Sequence, residues 1–223
     1  MKSHRLKTCG FSVVIIKACL NAYILNGFDV CGPTMAKKAI IFISCGIFRE
    51  ELEYLLREKG LDWNIIYLEA ALHVNFDRLK EALVEALEKN QKTGAELKVL
   101  YGHCHPEIMA ILEQYDAKKI EVGNCLEALV GPEEILRLNN EGTAFFLSAG
   151  WVNNWEKMFA LGKKDFDFDF KSMFDGYKRI IVFDTGLIPI DEEKVGRFSK
   201  FTNLPVERKH ISLDYLLNLI KRI

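Results

Sequence analysis

Three cysteines, Cys45, Cys104 and Cys125, stand at or just beyond the ends of apolar runs, and His103 and His105 flank the second of them. Thiols and imidazoles together support three kinds of chemistry. Zinc takes tetrahedral sulfur and nitrogen ligands and keeps one position open where it is catalytic. Cys45, Cys104 and Cys125 with His103 or His105 make such a set. Thiolates are also the usual ligands of iron–sulfur clusters, and three of them leave one iron open. A neighbouring imidazole lowers a thiol's pKa, so Cys104 with His103 or His105 also reads as a metal-free nucleophile and its proton carrier. The cysteines lack the close C-x-x-C spacing of a zinc ribbon, and buried cysteines also serve as small hydrophobes. In an extended segment His103 and His105 share one face and Cys104 takes the other. Gly102 and Pro106 supply the turn that a single shared ion would need.

Further groups occupy comparable places. His73 lies beyond an apolar run, as a site group or a loop cap. Trp151 and Asp184 are expected to bind a cofactor. Trp151, with Trp155 and the aromatic stretch 166–177, would wall a pocket or pack a helix onto a sheet. Asp184 would ligate, accept from a histidine, or cap the turn before Gly186. No G-x-G-x-x-G, P-loop or G-x-S-x-G is present, so nucleotide binding and the serine-hydrolase elbow carry no signature.

The positioning elements follow from periodicity. Residues 39–44 (AIIFIS) form a continuous apolar run, as in a strand buried on both faces. Runs at 64–69, 97–101, 118–122, 143–147 and 179–183 read as further strands, with 205–209 as a short edge strand. Between them lie amphipathic segments: 48–58, 76–89, 106–114, 126–130, 132–138, 154–161, 191–201 and 213–222. Lys59-Gly60 closes the first of these, Pro132 fits a first helical position, and Ser212 precedes the last as a cap. Strands alternating with helices predict an α/β fold with a mainly parallel sheet of about six to seven strands flanked by helices. The series divides at about residue 115, which allows two pseudo-duplicated Rossmann-like lobes, 35–115 and 116–223, within one domain. In open parallel sheets ligands bind beyond the carboxyl ends of the strands. The reactive groups fall at those ends, so strand direction alone gathers them on one edge.

Composition sets the class. The 223 residues are 49% hydrophobic and 27% charged, with a net charge of −1, as expected of a globular protein without a basic footprint for nucleic acid or an anionic membrane. No apolar run reaches the roughly 18 residues of a membrane span. Six cysteines in this length are too sparse for a disulfide scaffold, so a reducing cytoplasm is the expected location. Residues 1–34 make a poor signal peptide, because Lys17 and Asn21 interrupt the apolar region. Met35 opens an ordinary beginning, and residues 1–34 are expected to be an over-extended translation or a disordered tail. Cys9, Cys19 and Cys31 therefore stay outside the site.

Six pieces carry a family resemblance: SCGIFREEL (44–52), AALHVNFDRL (70–79), YGHC (101–104), CLEALVG (125–131), GTAFFLSAGW (142–151) and FDTGL (183–187). From Lys37 to Ile223 the chain resembles the family known as domain of unknown function 1638. Its members usually have a glycine-rich continuation after the third-strand cysteine, where His105-Pro106-Glu107 stands here. The resemblance implies a setting in methanogens and other anaerobes, near corrinoid-dependent methyltransferases, and strengthens the grouping of Cys45, Cys104 and Cys125. The expected function is a zinc or iron–sulfur site acting on a small molecule in anaerobic one-carbon metabolism. The alternatives are a non-catalytic accessory factor for a corrinoid or a corrinoid methyltransferase component, and a metal-free Cys/His thiol enzyme.

Overall fold

A computed structural model of the chain describes residues 38–165 and 171–223. The expected extension over residues 1–34 and part of the aromatic stretch, residues 166–170, lie outside the described residues.

The apolar runs become strands. They are β1 (Ile40–Cys45), β2 (Asn64–Leu68), β3 (Glu96–Leu100), β4 (Lys118–Lys119), β5 (Ala144–Ser148), β6 (Arg179–Asp184) and β7 (Val206–His210). All pairings are parallel, but the strands form two sheets, ordered β2-β1-β3-β4 and β5-β6-β7. This corrects the expectation of a single sheet of six to seven strands, and the different strand orders give no sign of duplication. The break follows β4, which pairs through two residues only. A two-residue edge bearing two lysines offers little ladder to a further strand.

The amphipathic segments become helices: α1 (Arg49–Lys59), α2 (Phe76–Gln91), α3 (Ile108–Gln114), α4 (Cys125–Val130), α5 (Pro132–Asn140), α6 (Ala149–Val152), α7 (Trp155–Asp165), α8 (Glu192–Thr202) and α9 (Asp214–Lys221). In α2 the buried residues are Leu79, Leu83, Ala86 and Leu87, one helical stripe, and Asn75 caps the start by accepting from Arg78 N. Gly60 ends α1 in the left-handed conformation, φ +58°, as Lys59-Gly60 predicts. Among the described residues, short 3-10 turns stand at Gly46–Phe48, Ala70–Val74 and Ser172–Phe174.

The second sheet has two apolar faces. Ala144, Ile181 and Phe183 join the main core around the first sheet, while Leu147, Ile180 and Val182 join an aromatic cluster with Phe174 and Phe198. Alternation along the strands makes this division. Among the described residues no helix is long and apolar enough to cross a membrane.

Candidate functional site

In the first sheet the strand order reverses next to β1: the chain passes from β1 to β2 on one side, then crosses to β3 on the other. Adjacent connections leave in opposite directions there, which opens a crevice at the carboxyl ends of β1 and β3. Cys45 ends β1, and Tyr101, Gly102 and Cys104 follow β3.

Three glycines let the neighbouring strand ends close on this crevice. A Cβ on Gly46 would stand 2.7 Å from the Leu68 carbonyl oxygen, so the end of β1 lies backbone to backbone against the end of β2. A Cβ on Gly102 would stand 2.4 Å from the Gly123 carbonyl oxygen, and His103 N donates to that same oxygen at 2.7 Å. Gly123 is closed in turn by Glu127, whose carboxylate accepts from Gly123 N at 2.7 Å. Asn124 caps α4 by accepting from Leu126 N and Glu127 N, a reciprocal arrangement of cap and third-residue carboxylate. Cys125, the first residue of α4, is thereby set beside the Cys104 loop.

The result is one cavity of about 200 Å³ walled by Cys45, Cys104, Cys125, His73, Tyr101 and Trp151, with Ile47, Phe48 and Leu100 among its other residues. Cys45 is buried and the other two cysteines are half-buried; all three are free thiols. Burial pushes the Cys45 thiol up to about 11, against a partly offsetting hydrogen bond from the Ile47 backbone. It pushes Cys104 and Cys125 up as well, with Lys119 pulling Cys104 slightly back and the neighbouring thiols adding to the rise at Cys125. Burial therefore favours the neutral thiols. A positive charge beside them, as a bound metal would supply, opposes that effect of burial. Among the described residues no three His, Cys, Asp or Glu side chains converge closely enough to hold one ion.

His73 and Tyr101 share the cavity. His73 Nδ1 donates to the Ala70 carbonyl at 2.7 Å. That bond fixes the proton on Nδ1 and leaves Nε2 as the free lone pair, the arrangement common to metal-ligating histidines. Burial pushes the His73 pKa down, with the Ala70 bond opposing, which favours the neutral ring. Tyr101 is only 2% exposed. Burial first, then the three thiols, pushes its phenol well above the ordinary range. Cys45 is its close neighbour, but the geometry falls short of a hydrogen bond and the hydroxyl has no partner among the described residues.

The structure thus brings Cys45, Cys104, Cys125 and Trp151 together and leaves His103, His105 and Asp184 elsewhere. His103 faces a separate open groove with Lys118, Lys119 and Arg222. His105 is buried, accepts from Glu107 N at 3.0 Å and packs edge-on against Phe76. Asp184 ends β6 and accepts from Gly186 N at 2.8 Å, building the turn. Trp151 is set by Ser148, which caps α6 by accepting from Trp151 N at 3.2 Å. Its other neighbours are Phe145, Phe159 and Phe198. Trp155 belongs to the aromatic core and donates from Nε1 to the Lys194 carbonyl at 3.3 Å. By sequence alone His73 reads as a site group or a loop cap, and Tyr101 as the last apolar residue of a strand. The usable signal at Tyr101 is its place directly before Gly102, where a strand must stop.

No curated protein and no solved structure matches the chain. The model of a family described as protein of unknown function (DUF1638) matches residues 67–220. That range contains His73, Tyr101, Cys104, Cys125 and Trp151 and begins after Cys45. The match covers more than half of the sequence, and the chain belongs to the DUF1638 family.

Proposed function

We propose that the thiol cavity binds a thiolate-ligated metal cofactor, an iron–sulfur cluster in preference to a single zinc ion. One observation carries this reading: thiols from the segments that end or follow three separate strands border one cavity of about 200 Å³ at the reversal of strand order. Cysteines retained only as packing fill volume; these border it. The choice of cluster rests on spacing. Three thiols that do not converge on a single point are better bridged by a body of several atoms, and thiolates are the usual cluster ligands. Three cysteines leave a fourth position for His73 Nε2 or for a small-molecule substrate. Zinc remains the alternative where the side chains close in.

The metal-free thiol enzyme is less well supported. Its acid–base partners, His103 and His105, do not border the cavity, and a reactive thiol needs a lowered pKa, whereas burial raises all three. The family resemblance suggests corrinoid-dependent methyl transfer in the cytoplasm of anaerobes as the setting, with a corrinoid methyltransferase component as partner.

Anaerobic purification followed by iron, acid-labile sulfide and zinc analysis tests the reading. Stoichiometric iron and sulfide, or zinc, lost on Cys104→Ser without loss of fold, is the expected outcome. Protein that stays metal-free after reconstitution with iron and sulfide, and after zinc addition, overturns it. A cobalamin titration separates the accessory-factor reading: unchanged corrinoid absorbance removes it and leaves the metal site standing.

A further inference from the structure

We propose that Tyr101 is the hydrogen-bond donor of the thiol cavity: its hydroxyl donates to a sulfur of the group bound there and so raises that group's reduction potential. The proposal rests on the metallocofactor reading above. It begins with placement. Tyr101 follows β3 directly and borders the same cavity as Cys45, Cys104 and Cys125. The residue is 2% exposed, and its hydroxyl has no hydrogen-bond partner among the described residues.

Burying a hydroxyl without a partner costs free energy, and buried polar groups are normally paired. A phenylalanine would fill nearly the same volume without that cost. An orphan donor facing three sulfurs finds its acceptor when those sulfurs become thiolates, because ionised acceptors make the stronger hydrogen bonds. Loading the cavity would therefore satisfy Tyr101 as well as the thiols. Hydrogen bonds to cluster and cysteine sulfurs stabilise the more negative, reduced state and raise the potential. Tyr101 thus acts as a tuning residue rather than a ligand.

Tyr67 provides the control. Its hydroxyl is likewise buried with no hydrogen-bond partner among the described residues, but it does not border this cavity. Tyr101→Phe and Tyr67→Phe are made in the full chain and reconstituted anaerobically with iron and sulfide. Midpoint potentials are then read spectroscopically in a titration with dithionite and mediators. The expected result is unchanged iron and sulfide content in both variants, a more negative potential for Tyr101→Phe, and the wild-type potential for Tyr67→Phe. A wild-type potential in Tyr101→Phe overturns the proposal while the cluster site stands. So does an equal negative shift in both variants, and so does loss of the cluster in a folded Tyr101→Phe protein. A wild-type chain that takes up no cluster removes the underlying reading, and this proposal with it.

Discussion

The two sheets are built alike and end differently. Both are parallel and both place the carboxyl ends of their strands at an edge. In the first, the order β2-β1-β3-β4 reverses next to β1; in the second, β5-β6-β7 runs in one direction. The reversal opens a crevice, and the first sheet's ends fill it with Cys45, Tyr101 and Cys104. The second sheet's order has no such reversal; Trp151, which follows β5, reaches across to wall the thiol cavity, while the polar residues that end β5 and β6 do structural work. Ser148 caps α6 and Asp184 closes a turn. A polar residue at a strand end is therefore a site candidate only where the topology leaves it a space to face.

The sheets also differ in what they bury. Around the second, Phe198 is fully buried and meets the rings of Phe145, Trp151, Trp155, Phe159 and Phe174. Phe198→Ala is expected to cost about 4 kcal/mol, the usual loss for emptying a packed aromatic site, measured by denaturant unfolding. Below its melting temperature the variant is expected to keep the metal uptake proposed for the wild type. Trp151 touches both Phe198 and the thiol cavity, so loss of uptake would show that the two regions are coupled there.

The first sheet's surroundings hold ionisable groups out of water. Glu51 on α1 is 2% exposed, its Oε2 has no hydrogen-bond partner among the described residues, and burial pushes its carboxyl from an ordinary 4.5 up to about 7. A raised acid contributes stability that is complete below its unfolded pKa and is lost as pH rises through the folded one. The loss therefore runs from about pH 4.5 to about 7. At about 1.4 kcal/mol for each tenfold change in proton affinity it amounts to about 3 kcal/mol. Glu51→Gln should be more stable than wild type by up to that amount at pH 8 and nearly equal to it at pH 4. His73, pushed down by burial, acts in the opposite sense as pH falls below its ordinary 6.5, but it is present in both proteins and drops out of the difference. Near the second sheet, Arg197–Glu156 is an exposed pair at 2.8 Å, worth about 1 kcal/mol or less. An equal difference between Glu51→Gln and wild type at both pH values would break this part of the comparison.

Much of this was legible in the sequence, for identifiable reasons. Apolar runs such as AIIFIS and RIIVF are long enough to declare buried strands, and alternation with helices declares parallel pairing. Parallel strands end on a common edge, so Cys45, Cys104 and Cys125 could be grouped without a close spacing. The opposed faces of His103 and Cys104 were also readable from alternation. The division into two sheets was not, because it depends on β4 pairing through only two residues of the run KKIEV. Tyr101 was hidden by its own hydrophobicity. His73 depends on a 3-10 turn that aims its ring. The glycine contacts are long-range: Gly102 meets Gly123, and local sequence does not state that meeting.

Those contacts make the first sheet's site sensitive to a single methyl group. Gly102→Ala places a Cβ against Gly123 O, Gly123 C and Asn124 Cα at 2.4 to 2.7 Å, all backbone atoms. Backbone cannot swing aside as a side chain does, so the two loops must part. The expected cost is about 2 kcal/mol, within the range for overpacking, together with weakening of the proposed metal uptake as Cys104 separates from Cys125. Wild-type uptake in this variant would mean that the loops can part without disturbing the thiols.

The same chemical change near the second sheet should have the opposite sign. Gly196 lies inside α8, and a Cβ there meets nothing within 4 Å. Within a helix the glycine backbone loses more conformational freedom on folding than alanine does, at a cost of about 1 kcal/mol. Gly196→Ala is therefore expected to stabilise by about that amount and leave the proposed metal uptake unchanged. Paired denaturant melts of Gly102→Ala and Gly196→Ala separate two explanations of the site. If the first loses and the second gains, the close backbone approach builds the cavity, and the glycines at the first sheet's strand ends are there to permit it. If both lose stability alike, the sensitivity belongs to glycine replacement in general, and the asymmetry between the sheets must rest on the reversal of strand order alone.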